Sequence, residues 1–369
     1  MQNEFDKVLE NVVETEVEDE TESEESVDPV QYEITSFGAD YDAEGLVKRL
    51  EREDIYVPPF QRGYVWNRSE ASRFIESLLL GLPVPGIFLA REGESKRLIV
   101  IDGQQRLKTL KFFFDGYFDP DPEAEKKTVF KLIGVKEQFE GVTYKTLRER
   151  DRIILNDSII HATIVKQDSP KNQQSSIYHI FERLNTSGRR LSPQQIRVAI
   201  YHGKFLDKIR ELNDHTKWRE IFGKKSKTLK DQELILRFLA MYFTSENYKR
   251  PMNEFLNDFA EYAMKQEPEF LSGCDVIFRR TIDIIHDALG VKAFRPERAL
   301  NAAVYDSVMV AMARRLQSGD ISNIKALRSE YEELLKDDRY LSAISQSTSD
   351  DKNVLYRLNE VTKRFAKVS

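Results

Sequence analysis

Arg97-Leu98-Ile99-Val100-Ile101-Asp102-Gly103-Gln104-Gln105-Arg106-Leu107-Lys108-Thr109 is the stretch on which the fold turns. Its aliphatic start reads as a buried strand, Asp102-Gly103 breaks it, and residues 104–114 take up helical spacing. A strand turning tightly into a helix leaves the first helical N–H groups without partners, and these favour an anion, phosphate above all. Gly103 permits the turn and a close approach of ligand to backbone. Arg106 adds a permanently charged, two-pronged donor for a phosphate. Asp102 is a candidate ligand for a divalent cation, or for a water beside the phosphates. Gln104 and Gln105 are candidates to orient that water or to read a ribose or base. The competing structural reading is a plain β-to-α turn with Asp102 as helix N-cap and Arg106 on a solvated face.

Upstream of this stretch, residues 87–90 read as a strand joined to 97–101 by a polar turn at 92–95. Before it, Ser69 reads as N-cap of a helix running through Leu80, with Glu70 in its first turn. Residues 55–57 form a short strand stopped by Pro58-Pro59, 42–52 an amphipathic helix, and 30–34 an alternating strand. Downstream, a charged loop covers 119–127, and strands are expected at 130–135 and 159–165. Beyond Ser169 the pattern becomes helical, at 171–184, 192–202, 203–213, 230–243, 252–265, 274–289, 296–317, 321–336 and 351–367. The expected fold is therefore α+β: a mixed α/β core over 30–168 and an all-helical half over 169–369.

Composition agrees with a globular protein, since 40% apolar residues in a chain of 369 suffice for a sizeable core. No apolar run approaches the roughly 20 residues that cross a bilayer. The acidic N-terminus lacks the basic and apolar regions of a secretion signal. Cys274 is the one cysteine, which excludes an internal disulfide and a cysteine zinc cluster. These features point to the cytoplasm and to no membrane. The net charge of −6 hides an uneven distribution. Residues 1–29 hold twelve Asp/Glu against one Lys, a charge of −11, so the remaining body carries +5. Such an acidic block reads as a disordered tail, either a solubilising leader or a DNA mimic that covers a basic groove.

Two further segments stand out. Pro58-Pro59-Phe60-Gln61-Arg62-Gly63-Tyr64-Val65-Trp66 sets Gln61 and Arg62 among large aromatics, which suits either a pocket for a planar ring or an aromatic core cluster with a structural Arg. Ile180-Phe181-Glu182-Arg183-Leu184-Asn185-Thr186-Ser187-Gly188 places Glu182, Arg183 and Asn185 at a helix C-terminus closed by Gly188. Leu191-Ser192-Pro193 then starts the next helix, with Ser192 as N-cap.

Taken in order, Phe60–Trp66, Phe74–Pro85, Ile101–Leu107 and Phe181–Thr186 resemble the motifs of the GmrSD restriction endonuclease N-terminal domain family, over about residues 32–245. The resemblance implies a core similar to the ParB and sulfiredoxin-like superfamily. There a strand–turn–helix with a Gly and an Arg binds nucleotide phosphates. It further implies coupling of nucleotide hydrolysis to attack on modified phage DNA. Carried over, Asp102, Gln104, Gln105, Arg106 and Glu182 would be catalytic, with Asp102 on a Mg²⁺. Gln61, Arg62, Gly103, Arg183 and Asn185 would bind the nucleotide, which is GTP, ATP or CTP. Relatives carry a C-terminal nuclease domain with a His–Asn–His metal site. None of His161, His179, His202, His215 and His286 falls in that arrangement, so cleavage by this chain is not expected, and a partner nuclease in trans, a separate effector role and a purely regulatory role all stay open. A homo-oligomer is compatible with the long helices after residue 250.

Two other function classes remain open. One is a non-catalytic DNA-binding or protein-interaction module with a vestigial nucleotide pocket, using Arg189-Arg190, Lys224-Lys225, Lys227 and Lys230 on phosphates. The other is a ParB-like nuclease acting from the Asp102 pocket.

Overall fold

Aliphatic runs with alternating burial build the sheet that positions the 97–109 stretch. The computed structural model describes residues 15–18, 33–58, 64–91, 97–119, 127–169, 178, 180 and 191–369. They fall into two units. One holds Val30–Leu191 with Val198–Ile200; the other holds Ser192–Arg197 and Tyr201–Ser369, together with residues 15–18. The helical unit takes up the chain from Ser192.

The chain starts with β1 (Val17–Glu18) of the helical unit. The first unit follows as β2 (Glu33–Asp42), α1 (Ala43–Glu51), β3 (Ile55–Tyr56), α2 (Arg68–Leu79), β4 (Ile87–Arg91), β5 (Leu98–Asp102), α3 (Gln104–Asp115), α4 (Glu149–Asn156) and β6 (Ile159–Ser169). Among the described residues the sheet order is β2-β6-β4-β5-β3. The β2/β6 and β4/β5 pairs are antiparallel, and the β4/β6 and β3/β5 pairs are parallel. Strand β5 lies inside the sheet and is buried through its first four residues, which is why it reads as an unbroken apolar run. Its side chains alternate. Leu98 and Val100 join the core cluster with Leu46, Ile75, Leu107 and Phe113 of the helices.

Two expectations need correction here. The N-cap of α2 is Asn67, not Ser69: Asn67 and Glu70 form a reciprocal capping box. Residues 130–135 are not a strand. Phe130 and Leu132 are both fully buried, so they show a strand's period, but their N–H groups bond to Gly116 O and Val142 O, each at 2.9 Å, rather than to a ladder.

The second unit contains α5 (Pro193–Ile200, shared between the units), α6 (Lys204–Leu212), α7 (Thr216–Phe222), α8 (Lys230–Thr244), α9 (Met252–Met264), α10 (Pro268–Leu289), β7 (Leu300–Asn301), α11 (Ala302–Leu316), α12 (Ile324–Leu334), α13 (Asp338–Ser345) and α14 (Asp351–Phe365). Short α7 and α13 escape a periodicity reading because two turns hold too few apolar positions to show a stripe. The expected helix at 171–184 lies mostly outside the described residues; Tyr178 and Ile180 within it are helical. The acidic segment 1–29 also lies largely outside them, but residues 15–18 depart from the disorder expected. Strand β1 pairs in parallel with β7, Val17 opposite Leu300.

The core of this unit is aromatic, with Trp218 5.6 Å from Tyr305 and 6.2 Å from Phe278 between ring centres. It also buries charge. Asp306 of α11 receives Arg237 of α8, and Arg357 of α14 stands 3.6 Å from the same carboxylate. No helix among the described residues is long and apolar enough to cross a membrane.

One carboxyl on α9 makes a pH dependence. Burial first, and then the charges of Glu254 and Glu261, push the Asp258 carboxyl up to about 6. Its folded-state pKa lies above the ordinary 3.8, so the stability it contributes is complete below that value and is lost as pH rises through about 6. Asp258→Asn should remove the loss and stabilise the chain near neutral pH by about 1 kcal/mol, the shift being discounted for the side chain's exposure. Thermal unfolding near pH 5 and near pH 7.5 checks this. An Asn variant that keeps the wild-type pH slope would refute it.

Candidate functional site

The candidate site is the β5–α3 turn, and its geometry follows from the strand before it and the helix after it. Ile101 is buried in the sheet, so the chain must leave the strand within a residue or two to expose Asp102. Gly103 makes that exit in the left-handed region, at φ 99° and ψ 8°. The N-cap of α3 is Gly103 itself and makes no side-chain cap bond, so Asp102 does not cap the helix. The N-cap residue itself therefore offers the first turn of α3 no side-chain acceptor.

Arg106 does not sit on a solvated face. Its side chain is only 14% exposed, and its Nη2 donates to Asp102 Oδ2 at 2.9 Å. Its Nε is buried without a hydrogen-bond partner among the described residues. Asp102 is 61% exposed, so the pair presents a held guanidinium behind an open carboxylate.

Gly103 is required for a reason the sequence does not disclose. A Cβ there would lie 2.4 Å from Ile87 Cγ2 and 2.9 Å from Ile87 Cβ. The close neighbour of Gly103 is the side chain of β4.

Gln105 is engaged. Its Oε1 accepts the N–H of Val65 at 3.0 Å, with the N–H of Trp66 at 3.4 Å. Tyr64 is tied to the same helix through its hydroxyl, 2.7 Å from Thr109 Oγ1, and its ring meets Phe112 edge-on at 4.9 Å. Burial pushes the Tyr64 phenol up to about 12. The aromatic segment after Gln61 and Arg62 is therefore fastened to α3, and Gln105 is a positioning residue in that joint. Gln61 and Arg62 themselves lie outside the described residues, as do Glu182, Arg183 and Asn185.

Lys108 is the residue that motif reading passed over. It stands one helical turn after Gln104, on the same side of α3. It is half-buried, and among the described residues it makes no ion pair. Burial lowers its pKa, partly offset by the charge of Asp119. The i, i+4 spacing from Gln104 was the available signal; its burial was not legible.

The donor set suits phosphate better than it suits a metal. Arg106, Lys108 and the uncapped helix start all favour an anion. No group of three His, Cys, Asp or Glu that could hold a metal ion gathers among the described residues, and the Asp102 carboxylate is already shared with Arg106.

Comparison with known proteins fits this region. Over 260 aligned positions the chain is 23% identical to an uncharacterized protein of Methanocaldococcus jannaschii, covering 48% of this chain and 43% of that relative. The chain thus spans less than half the length of this relative. The family model described as GmrSD restriction endonuclease, N-terminal domain, matches residues 44–202, which take in α1 to α5 and the whole β5–α3 turn. Residues 44–202, less than half of the chain, are thus similar to the N-terminal domain of the GmrSD restriction endonuclease.

Proposed function

We propose that this chain is the nucleotide-responsive component of a DNA restriction system, and that the β5–α3 turn holds the phosphates of a nucleoside triphosphate. The observation that carries the reading is Arg106: a guanidinium 14% exposed, held at an uncapped helix start, with a buried Nε still lacking a partner among the described residues. Such a group is preorganised for an anion, because little side-chain freedom is left to lose on binding. Lys108 supplies a second cation from the next turn. Asp102 holds Arg106 in place until phosphate competes for it. Glu182, Gln61, Arg62, Arg183 and Asn185 enter through the family resemblance alone. Mg²⁺ would accompany the triphosphate.

Binding of GTP, ATP, CTP and UTP with Mg²⁺, measured by calorimetry for wild type and Arg106→Ala, tests the proposal. Charge-assisted hydrogen bonds are worth about 1.5–3 kcal/mol, so the variant should lose roughly 10- to 150-fold in affinity. Equal affinity in both proteins would sink the phosphate site. No affinity for any triphosphate in the wild type would favour the non-catalytic interaction module instead. Metal-dependent DNA nicking abolished by Asp102→Ala would favour the nuclease reading.

A further inference from the structure

Helix α11 closes with Arg314-Arg315, two cations side by side in its last turn. Basic residues at a helix C-terminus ordinarily answer the dipole or meet a neighbouring carboxylate. These two meet only neutral groups. Arg314 Nη2 donates to Ser245 Oγ at 2.8 Å. Arg315 Nε donates to Val368 O at 2.7 Å, and its Nη1 donates to Gly319 O at 3.1 Å. Among the described residues neither arginine makes an ion pair, and Nε and Nη1 of Arg314 and Nη2 of Arg315 carry no hydrogen bond. Asp320 and Glu360, the acidic residues nearest in sequence, are taken elsewhere: Asp320 pairs with Arg280 at 2.6 Å and Glu360 with Arg364 at 2.8 Å.

Both arginines border one cavity of about 260 Å³, with Ser318, Thr362, Ala366 and Val368 completing its described lining. No carboxylate stands among these residues, so two positive charges face a small space with nothing of opposite sign. Like charges held at one cavity repel, and an anion between them removes that cost. The Ser318 hydroxyl makes no hydrogen bond to a described residue and adds a donor. The Thr362 hydroxyl is spent on Leu358 O at 2.7 Å. Two carbonyls fix the Arg315 guanidinium, which leaves little side-chain freedom to lose when a ligand arrives.

We propose that this cavity binds a phosphate group, free or carried by a small molecule. Guanidinium groups present paired donors that match phosphate oxygens. Two cations with donors from three side chains suit a dianion of several oxygens better than a carboxylate with two. The volume lies below the roughly 300–1,000 Å³ of ordinary ligand clefts, so the cavity takes an ion or the head of a small ligand. All of its residues belong to the helical unit, and the site does not depend on the reading of the β5–α3 turn.

The test is calorimetric titration of the full chain with inorganic phosphate at low salt. An Arg106→Ala background keeps the β5–α3 turn from contributing. The parent should bind phosphate at a single site, and Arg314→Gln and Arg315→Gln should each weaken it about 10-fold or more. Arg315 also ties two carbonyls, so Ala366→Leu supplies a variant that keeps both charges. It fills the cavity from an exposed position and should abolish binding while circular dichroism matches the parent. Glycerol 3-phosphate, titrated in parallel, separates the two sources. Tighter binding than phosphate assigns the cavity to a phosphorylated small molecule, and weaker binding assigns it to the free ion. Absence of phosphate binding in the parent, or binding that survives all three substitutions, would overturn the proposal. Equal competition by chloride would overturn the phosphate assignment.

Discussion

Asp306→Ala should destabilise the helical unit by about 3–5 kcal/mol, the cost of removing one partner from a buried ion cluster. Asp306 is fully buried, Arg357 is 0% exposed and Arg237 1%, so neither guanidinium can turn to water when the carboxylate goes. Arg237 approaches Asp306 with two nitrogens, Nε at 3.2 Å from Oδ1 and Nη2 on Oδ2. Three helices, α8, α11 and α14, meet on this one carboxylate, so the loss should appear as a single cooperative shift. The chain has two tryptophans, Trp66 in the first unit and Trp218 in the helical core. In a Trp66→Phe background, urea unfolding followed by fluorescence therefore reads the helical unit alone. An unchanged midpoint for Asp306→Ala would refute the cluster's role. Replacing Asp306, Arg237 and Arg357 together by apolar residues of similar volume should restore much of the stability, because the desolvation cost disappears with the charges.

Gly103→Ala should cost about 2–5 kcal/mol in the first unit, through two separable effects. A side chain at φ 99° carries roughly 1–2 kcal/mol of backbone strain. Driving the new Cβ into Ile87 adds about 1–3 kcal/mol of overpacking, since the 2.4 Å gap lies far inside van der Waals contact. Ile87→Ala removes the opposing Cγ2, so Gly103→Ala should be less costly in that background. A double-mutant cycle reads the difference as a coupling energy. Strict additivity would remove the clash from the account and leave only strain. Loss of nucleotide affinity without any loss of stability would instead return Gly103 to the role expected from sequence, close approach of a ligand.

Much of the sheet unit was legible because its local signals agree. Residues 98–102 are aliphatic enough to read as a doubly buried strand, Asp102-Gly103 is a breaker, and α3 shows helical spacing from Gln104. The 130–135 segment misled because alternating burial is necessary for a half-buried strand but not sufficient, and its hydrogen bonds go elsewhere. Pairing of β1 with β7 could not be read at all. Two residues give no periodicity, and their partners lie some 280 positions away.

The sequence alone determined the kinds of residue that meet at the β5–α3 turn: a glycine for a turn, an arginine for an anion, and a carboxylate one helical turn before the arginine. It determined the division into a mixed sheet unit and a helical unit, because a change in hydrophobic period is a local property of the chain. Tertiary structure decided what each turn residue does. Arg106 is buried because α3 packs its flank into the unit, Gln105 is spent on the backbone of Val65, and Gly103 is demanded by Ile87 across the sheet. Burial and cross-strand distance depend on residues far apart in the chain. Only the folded backbone sets them, and they turn a list of suitable side chains into a candidate site.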